Sequence, residues 1–396
     1  MFYDVKAIDK EIKKLKIPSE YFKIPLDDVF KNDYTMLLSI REDSGKTTSI
    51  LLFSLVLYKL YGTTLEYLRN DKVQVTKGKI ETLYNTVRAF DYINKAFDGR
   101  WNDVTYKSHV KKFFLIKRDY DGTVIEEDTE PLCVVHSTEE AYDFKSSYVS
   151  PKGDLIVLDE MFDSNRSSYR LWTDLMTAIS TIGRPGSRGR EDRCFCILLG
   201  NNDNMYSQWF DDFCISSEIP DLKYGKVIRW ETYLGTTGTC RLLEVSERQK
   251  EKIENRKIRF FGFPTKKAAQ FIGTSEWSGK SYPHPDATLD YTKRCFDRLF
   301  VLHRDRYIQL ELYKFEEGFK VFAHFSSKPL LDDNLILTLF PEKKGEVYGY
   351  GQHQDNVKIK NVIAKYFNLK NENRWFYASN LVGELVDDFQ KNIDKV

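Results

Sequence analysis

The triplet Gly45-Lys46-Thr47 is the clearest group of residues in this chain that could do chemistry. The short apolar run Thr35–Ile40 before it predicts a buried strand, and Thr47–Tyr61 after it predicts a buried helix that ends at Gly62. A loop between a strand and a helix N-terminus presents backbone N–H groups to phosphate. The lysine of such a loop reaches the β- and γ-phosphates, and the threonine hydroxyl can bind Mg²⁺. We therefore predict a phosphate loop.

This predicted loop departs from the usual pattern. Ile40 stands where that pattern has its first glycine, and Glu42 and Asp43 put carboxylates beside the phosphates unless they point away. A decayed loop in a non-catalytic interaction protein therefore stays open as an alternative. The predicted nucleotide-binding residues of this segment are Arg41, Glu42, Asp43, Ser44, Gly45, Lys46, Thr47 and Thr48.

An acid pair follows a second apolar run. Asp159 and Glu160 come directly after Leu155–Leu158, and a buried parallel strand would deliver both carboxylates to the carboxyl edge of its sheet. Asp159 is predicted to hold Mg²⁺, directly or through water, and Glu160 to orient and polarise the attacking water. A polar loop after a strand has the same signature, but the phosphate loop upstream favours nucleotide hydrolysis.

Two more segments carry candidate residues. Asn201 follows the apolar run Cys194–Leu199, where ATPases place a sensor for the γ-phosphate, although a turn asparagine has the same pattern. Residues 183–193 contain four arginines among glycines and one proline. Such a loop suits an arginine that reaches a neighbouring subunit's nucleotide, while a solvated loop or a contact with DNA phosphates is the alternative. The candidate arginines are Arg184, Arg188 and Arg190.

The elements around these residues alternate between apolar strands and helices, which predicts a mostly parallel sheet covered on both faces. The character changes near Val245, where a basic helical stretch precedes a Gly/Pro/Ser-rich stretch. Beyond it, Tyr307–Phe315 and Phe319–Phe325 predict a β-hairpin, and a helix closes the chain from about Ser379 to Ile393. We predict an ATPase domain over 1–244, a basic helical linker over 245–285 and an α+β domain over 286–396.

Composition narrows the class of protein. With 30% charged residues and no apolar run long enough to span a bilayer, the 396-residue chain is not expected in a membrane. The N-terminus has no basic segment leading into an apolar core, and the six cysteines are scattered, so a reduced cytosolic protein is expected. At a net charge of +1, any DNA contact must come from local patches or from several subunits together.

In their order along the chain, these motifs resemble the DNA-packaging ATPases of φ29-like phages. The resemblance covers nearly the whole chain at weak identity, and here Arg41 stands five residues before the loop lysine, whereas most relatives keep an arginine four before it. The arginine loop is longer than the family's, so alignment does not choose among its arginines. The matching segments are Tyr67–Lys72, Lys145–Tyr148, Leu155–Phe162, Leu175-Met176, the arginine loop, Leu199–Asn201, Gln270–Gly273 and the final helix.

The resemblance implies an additional-strand, catalytic-glutamate P-loop ATPase domain and a small C-terminal domain like a ribonuclease H fold without its nuclease. It implies Mg²⁺ with ATP at Lys46, Thr47, Asp159 and Glu160, and an arginine-finger role shared among the three candidate arginines. Lys72 and Lys145 match basic residues that the family places near the nucleotide or the subunit interface.

The resemblance also implies partners and a location. Family members form a homomeric ring, usually a pentamer, on the capsid portal in the host cytoplasm and move double-stranded DNA through its channel. In members with a structural RNA, that RNA tethers the ring. Two alternatives of other classes remain: a terminase whose nuclease uses Asp305, Asp332 or Asp333, and a replication helicase or recombination ATPase.

Overall fold

A computed structural model of the chain describes residues 3–18, 21–39, 45–144, 148, 155–162, 168–183, 194–201, 207–232, 235–243, 282–284, 295–303, 306–327, 336–338, 346–348 and 357–393. The chain divides into two compact units, residues 1–165 with 169–278, and residues 279–396 with 166–168. Each unit is built around a sheet of its own.

The first unit contains a ten-stranded sheet with helices packed against it. Its strands are β1 Tyr34–Ser39, β2 Leu65–Arg69, β3 Asp103–Lys107, β4 Lys112–Arg118, β5 Val124–Glu127, β6 Cys133–Ser137, β7 Leu155–Leu158, β8 Phe195–Asn201, β9 Val227–Glu231 and β10 Thr237–Leu242. Its described helices are α1 Val5–Lys14, α2 Leu26–Lys31, α3 Lys46–Tyr61, α4 Lys77–Ile80, α5 Asn85–Ala89, α6 Tyr92–Ala96, α7 Ala141–Phe144, α8 Ser168–Ile182 and α9 Gln208–Asp212.

The sheet order is β3-β4-β6-β2-β7-β8-β1-β10-β9, and β5 pairs with β4. The strands from β6 to β10 in this order run parallel to one another, while β3, β4, β5 and β9 pair antiparallel at the edges. The predicted mixed α/β fold with a mostly parallel sheet is therefore confirmed. Strand β8 lies between β1 and β7, so the strand that precedes the Gly-Lys-Thr triplet and the strand that precedes the acid pair flank a third strand.

Alternate residues of the central strands face two separate cores. Leu37, Tyr67 and Val157 belong to the core beneath α1 and α3, whereas Leu68 and Leu158 belong to the core beneath α8 and α9. Burial on both faces explains why these strands are apolar throughout, and it favours parallel pairing with helical crossovers.

Helix α3 is buried almost throughout, as the predicted helix Thr47–Tyr61 required. Every residue from Ser49 to Leu57 is buried, and Gly62 ends the helix in the left-handed conformation at φ +66°. At its start, Gly45 is also left-handed at φ +69°, and no side chain caps the helix. The first backbone N–H groups of α3 therefore have no partner within the helix, and they can donate to an anion.

The second unit contains a six-stranded sheet of order β15-β14-β11-β12-β13-β16. Strands β11 to β13 form an antiparallel meander, β14 runs parallel to β11, and β16 runs parallel to β13. The predicted hairpin is present as β12 and β13, and the predicted last helix as α11. The elements are β11 Asp297–His303, β12 Arg306–Phe315, β13 Gly318–Ser326, β14 Ile336–Thr338, β15 Glu346–Tyr348, β16 Trp375–Tyr377, α10 Val357–Asn371 and α11 Asn380–Ile393.

Several sequence predictions fall outside this description. The linker 245–285 lies outside the described residues except for 282–284, so its boundaries stay a prediction, and so do Asp305, Asp332 and Asp333 as nuclease carboxylates. Sequence patterns did not identify α10, the parallel strand β10 or the antiparallel edge strands β3, β5 and β9. Within the described ranges, no helix is both long and apolar enough to cross a lipid bilayer.

The Glu311 carboxylate on β12 leads to a prediction about how the stability of the fold depends on pH. The nearby His324 imidazole, whose Nε2 lies 3.8 Å from Glu311 Oε1, lowers the pKa of Glu311. Hydrogen bonds from Tyr313 and Gln309 add to this effect and outweigh burial, so the pKa falls to about 2. Glu311 in turn raises the pKa of His324 above its usual 6.5. The Glu311 carboxylate therefore stabilises the fold above about pH 4.5, and this contribution is lost as pH falls toward 2. The His324 contribution is complete below pH 6.5 and is lost as pH rises through the raised pKa.

We expect Glu311→Gln to lower the free energy of unfolding most between pH 4.5 and pH 6.5, where both charges are present. The loss should be about 1 kcal/mol, because water screens the pair. Urea unfolding of the two chains across pH would measure the difference. Glu316→Gln, an exposed carboxylate in the β12–β13 turn, is the control and should show no such pH window. A difference that does not vary with pH would contradict the assignment.

Candidate active site

The carboxyl ends of three neighbouring strands bring the predicted site residues together. Asp159 follows β7, Asn201 ends β8, and β1 leads toward Lys46 at the start of α3. Strands β1, β8 and β7 are adjacent and parallel, with Ser39 paired to Asn201 in register. Their ends therefore meet at one edge of the sheet, where open α/β folds bind ligands.

Lys46 lies between two polar strand ends. Its Nζ donates to Ser39 Oγ at 2.7 Å and to Asn201 Oδ1 at 2.6 Å. An ammonium at the N-terminus of α3 adds its charge to the positive end of the helix. The sensor role of Asn201 stays a prediction, but its side chain does contact the lysine predicted to bind phosphate.

Thr47 and Asp159 are in direct contact. Thr47 Oγ1 donates to Asp159 Oδ2 at 2.7 Å, although the two residues are 112 positions apart. A hydroxyl and a carboxylate are the oxygen ligands that Mg²⁺ takes beside phosphate oxygens. The two residues therefore fit the magnesium site predicted for them. Thr48 is the next residue of α3 and is half-buried.

The same carboxylate oxygen accepts two further contacts. Tyr67 OH donates to Asp159 Oδ2 at 2.6 Å, and Arg69 Nη2 lies 3.2 Å from it. Burial and the neighbouring Asp159 raise the pKa of Tyr67, so its hydroxyl stays protonated as a donor. Burial alone would lower the pKa of Arg69, but Tyr67 and the carboxylates of Asp159 and Glu160 outweigh burial and raise it. Arg69 is therefore a fixed cation of the site.

Glu160 has an unusual backbone that its neighbours support. Its φ is +59°, a left-handed conformation that residues with a side chain seldom adopt. The buried Asn70 side chain donates to the backbone carbonyls of Glu160 at 3.0 Å and Met161 at 3.1 Å. The Glu160 side chain, 42% exposed, forms an ion pair with Arg69 Nη1. Strain of this kind is found at functional sites.

Lys72 contacts acidic residues instead of the site described above. Its Nζ lies 3.3 Å from Glu140 Oε1, its backbone N–H donates to Glu139 Oε2 at 2.8 Å, and its side chain is 67% exposed. Its role near the nucleotide or a subunit interface stays a prediction. Tyr148, which closes the matching segment Lys145–Tyr148, donates to the fully buried Glu66 carboxylate at 2.7 Å and 2.9 Å.

The remaining predicted site residues lie outside the described ranges and stay predictions. They are Arg41, Glu42, Asp43, Ser44, Lys145, Arg184, Arg188 and Arg190.

Sequence reasoning missed four residues of the site. They are Ser39, Tyr67, Arg69 and Asn70. Three of them lie in the segment Tyr67–Lys72 that carries the family resemblance, and that segment was the available signal. An arginine that ends an apolar strand can pair with an acid pair that ends the neighbouring strand. Such a pairing can be recognised only when the strand order is known.

The fold is similar to that of known proteins of one class. The Phi-28 gp11 DNA packaging motor is similar at 15% identity and a TM-score of 0.55, over 96% of this chain and 99% of that one. The bacteriophage Phi-29 viral genome packaging motor assembly is similar at 12% identity and a TM-score of 0.52, over 94% and 99%. No family model and no curated protein matches the chain. The chain therefore has the fold of phage DNA-packaging motors, and the resemblance seen in its motifs is confirmed at the level of fold.

The backbone conformation of Gly45 leads to a testable prediction about nucleotide binding at this site. A Cβ at Gly45 would lie 1.9 Å from Tyr21 Cδ1, and φ is +69°, so Gly45→Ala meets both overlap and backbone strain. The strain costs about 1 kcal/mol, and the overlap must displace Tyr21 or the start of α3. We expect Gly45→Ala to lose ATPγS affinity, measured by calorimetry, as well as stability.

Gly122→Ala separates the two effects. Gly122 has φ +85°, but no heavy atom lies within 4 Å of its Cβ position. This variant should lose about 1 kcal/mol of unfolding free energy and bind nucleotide as the wild type does. Equal nucleotide affinity in both variants would show that the Gly45 turn does not shape the site.

Proposed function

We propose that this chain is the ATPase of a phage motor that moves double-stranded DNA through the portal into a preformed capsid. The observation that carries the proposal is the convergence of Lys46 and Thr47 with Asp159 at one sheet edge. Two motifs separated by 112 residues meet through a 2.7 Å hydrogen bond, which a chance Gly-Lys-Thr match would not produce. The same contact argues against a decayed, non-catalytic loop.

The residues have distinct roles in this proposal. The N–H groups at the start of α3 and the Lys46 ammonium bind the β- and γ-phosphates. Thr47 and Asp159 would hold Mg²⁺, which would neutralise charge on the transferred phosphoryl group. Glu160 orients and polarises the attacking water. Asn201, in contact with Lys46 Nζ, senses the γ-phosphate.

Arg69 sets a condition on Glu160. In the structure the Glu160 carboxylate is paired with the Arg69 guanidinium, so it is not available to accept a proton from water. Hydrolysis therefore requires that Glu160 leave Arg69 or share its carboxylate with the water. The positive φ of Glu160 and its support by Asn70 keep the backbone fixed, so that the side chain alone has to move.

The wider function follows from the fold. The strand order, with β8 between β1 and β7, supports an additional-strand, catalytic-glutamate ATPase domain over 1–244. The meander of the second unit, extended by a strand parallel to its first strand, is compatible with a ribonuclease H-like domain without nuclease over 286–396. Likeness to packaging motors over most of the chain supports a homomeric ring, a pentamer in this proposal, with DNA and the capsid portal as partners.

Other parts of the motor rest on the resemblance alone. One of Arg184, Arg188 and Arg190 acts on a neighbour's nucleotide, and Lys72 and Lys145 lie near that interface. The motor works in the host cytoplasm while attached to the procapsid. A structural RNA tethers the ring if the phage encodes one.

An ATPase assay tests the hydrolysis site. We expect slow Mg²⁺-dependent turnover in the wild type and near-complete loss in Lys46→Ala, because the phosphates lose their cation. Glu160→Gln should reduce kcat by a factor on the order of 100 to 10,000 yet still bind ATP, because only the group that accepts the proton is removed. Lys79→Ala and Glu126→Gln, exposed residues on α4 and β5, are matched controls that should keep full activity.

Three outcomes would point elsewhere. An inactive wild type that also fails to bind ATP would contradict the ATPase. Metal-dependent cutting of plasmid that is lost in Asp305→Asn or Asp333→Asn would favour a terminase with an active nuclease. Separation of a forked DNA without any capsid would favour a helicase.

A further inference from the structure

Tyr67 occupies a position between the two charged groups of the proposed site. Its side chain is fully buried, its hydroxyl donates to Asp159 Oδ2 at 2.6 Å, and it accepts a hydrogen bond from Arg69 Nε at 2.9 Å. A buried phenol with both a donor and an acceptor contact is fully satisfied. Its hydroxyl therefore links the arginine to the aspartate.

The position follows from strand register. Strand β2 pairs in parallel with β7, with Tyr67 opposite Val157, so the Tyr67 side chain lies beside the end of the strand that carries Asp159. The Asp159 N–H donates to Leu68 O at 3.0 Å, which fixes the aspartate backbone against β2. The tyrosine ring is part of the core beneath α3, and this packing leaves the hydroxyl little freedom.

Three side chains contact the same oxygen of Asp159. Thr47 Oγ1, Tyr67 OH and Arg69 Nη2 lie 2.7 Å, 2.6 Å and 3.2 Å from Oδ2. Rotation of this carboxylate would break all three contacts at once. The orientation of a carboxylate that binds a metal depends on such outer partners.

We propose that Tyr67 is a positioning residue for the Asp159 carboxylate and sets the affinity of the site for Mg²⁺. The proposal rests on the proposed function and deepens it. Tyr67 also holds Arg69 through Nε, which leaves Nη1 for Glu160 and Nη2 for Asp159. Without the phenol, the carboxylate has one fewer restraint, and the guanidinium loses the acceptor that orients it.

The test compares two tyrosines. Tyr67→Phe removes the hydroxyl and keeps the ring. Tyr84→Phe makes the same change in the same core, where Tyr84 is also fully buried and its hydroxyl lies near Ser54 and Cys133. For each variant, ATPγS binding is measured by calorimetry in EDTA. In a separate experiment without chelator, Mg²⁺ is titrated into the nucleotide complex.

We expect Tyr67→Phe to weaken the apparent Mg²⁺ affinity by roughly 10-fold to 100-fold, the range for loss of an outer-shell partner. Its nucleotide affinity in EDTA should match that of Tyr84→Phe, because the ring and the core are retained. Its melting temperature should fall further than that of Tyr84→Phe, since the buried Asp159 carboxylate and the Arg69 guanidinium each lose a hydrogen bond. Neither readout requires turnover, so the result does not depend on the rate of hydrolysis.

A double variant tests the route through Asp159. In an Asp159→Asn background the metal ligand is already weakened, so adding Tyr67→Phe should cause no further loss of Mg²⁺ affinity. Additive losses in the double variant would overturn the proposal, since Tyr67 would then act by another path.

Two further outcomes would overturn it. One is a Mg²⁺ affinity of Tyr67→Phe equal to that of Tyr84→Phe. The other is an equal loss of nucleotide binding with and without metal, which would mean that Tyr67 only supports the fold. A wild type without any Mg²⁺-dependent binding would instead refute the proposed function together with this inference, which distinguishes the two failures.

Discussion

The hydrogen bond between Thr47 and Asp159 depends on the parallel alignment of the central strands, and the rest of the site depends on that bond. Thr47 is the second residue of α3, and Asp159 follows β7, two strands away from β1 in the sheet. They meet because parallel strands bring their carboxyl ends to a common edge. The two cores on either side hold this edge in place, since every central strand is packed on both faces.

The charges at this edge compensate one another. Lys46 and Arg69 are the cations, and Asp159 and Glu160 are the anions. Asp159 is almost fully buried, and a buried carboxylate is costly unless it is paired and hydrogen-bonded. Arg69 meets this need by contacting both acids, and Tyr67 fixes its orientation. Lys46 and Arg69 together balance the charges of the two carboxylates, and Arg69 contacts both of them.

The sequence allowed a detailed prediction of the fold where patterns were strong. The apolar runs predicted β1, β7, β8 and α3, because burial on both faces demands continuous hydrophobicity. Strand β10, which pairs parallel with β1, was missed because threonines, a glycine and an arginine interrupt its apolar residues. The antiparallel edge strands β3, β5 and β9 were missed, since their exposed or alternating residues resemble loops. Helix α10 was also missed, although its apolar residues from Ile359 to Phe367 recur at helical spacing and Tyr366 and Phe367 are buried.

The sequence by itself determined which residues can carry the chemistry. A lysine and a threonine at a helix start, and an acid pair after an apolar strand, are local signals, because each depends only on neighbours along the chain. Only the tertiary structure decided that Tyr67, Arg69 and Asn70 complete the site. Their roles arise from the pairing of β2 with β7 and from the backbone of Glu160, and contacts between strands distant in sequence depend on strand order and register, which no local pattern encodes.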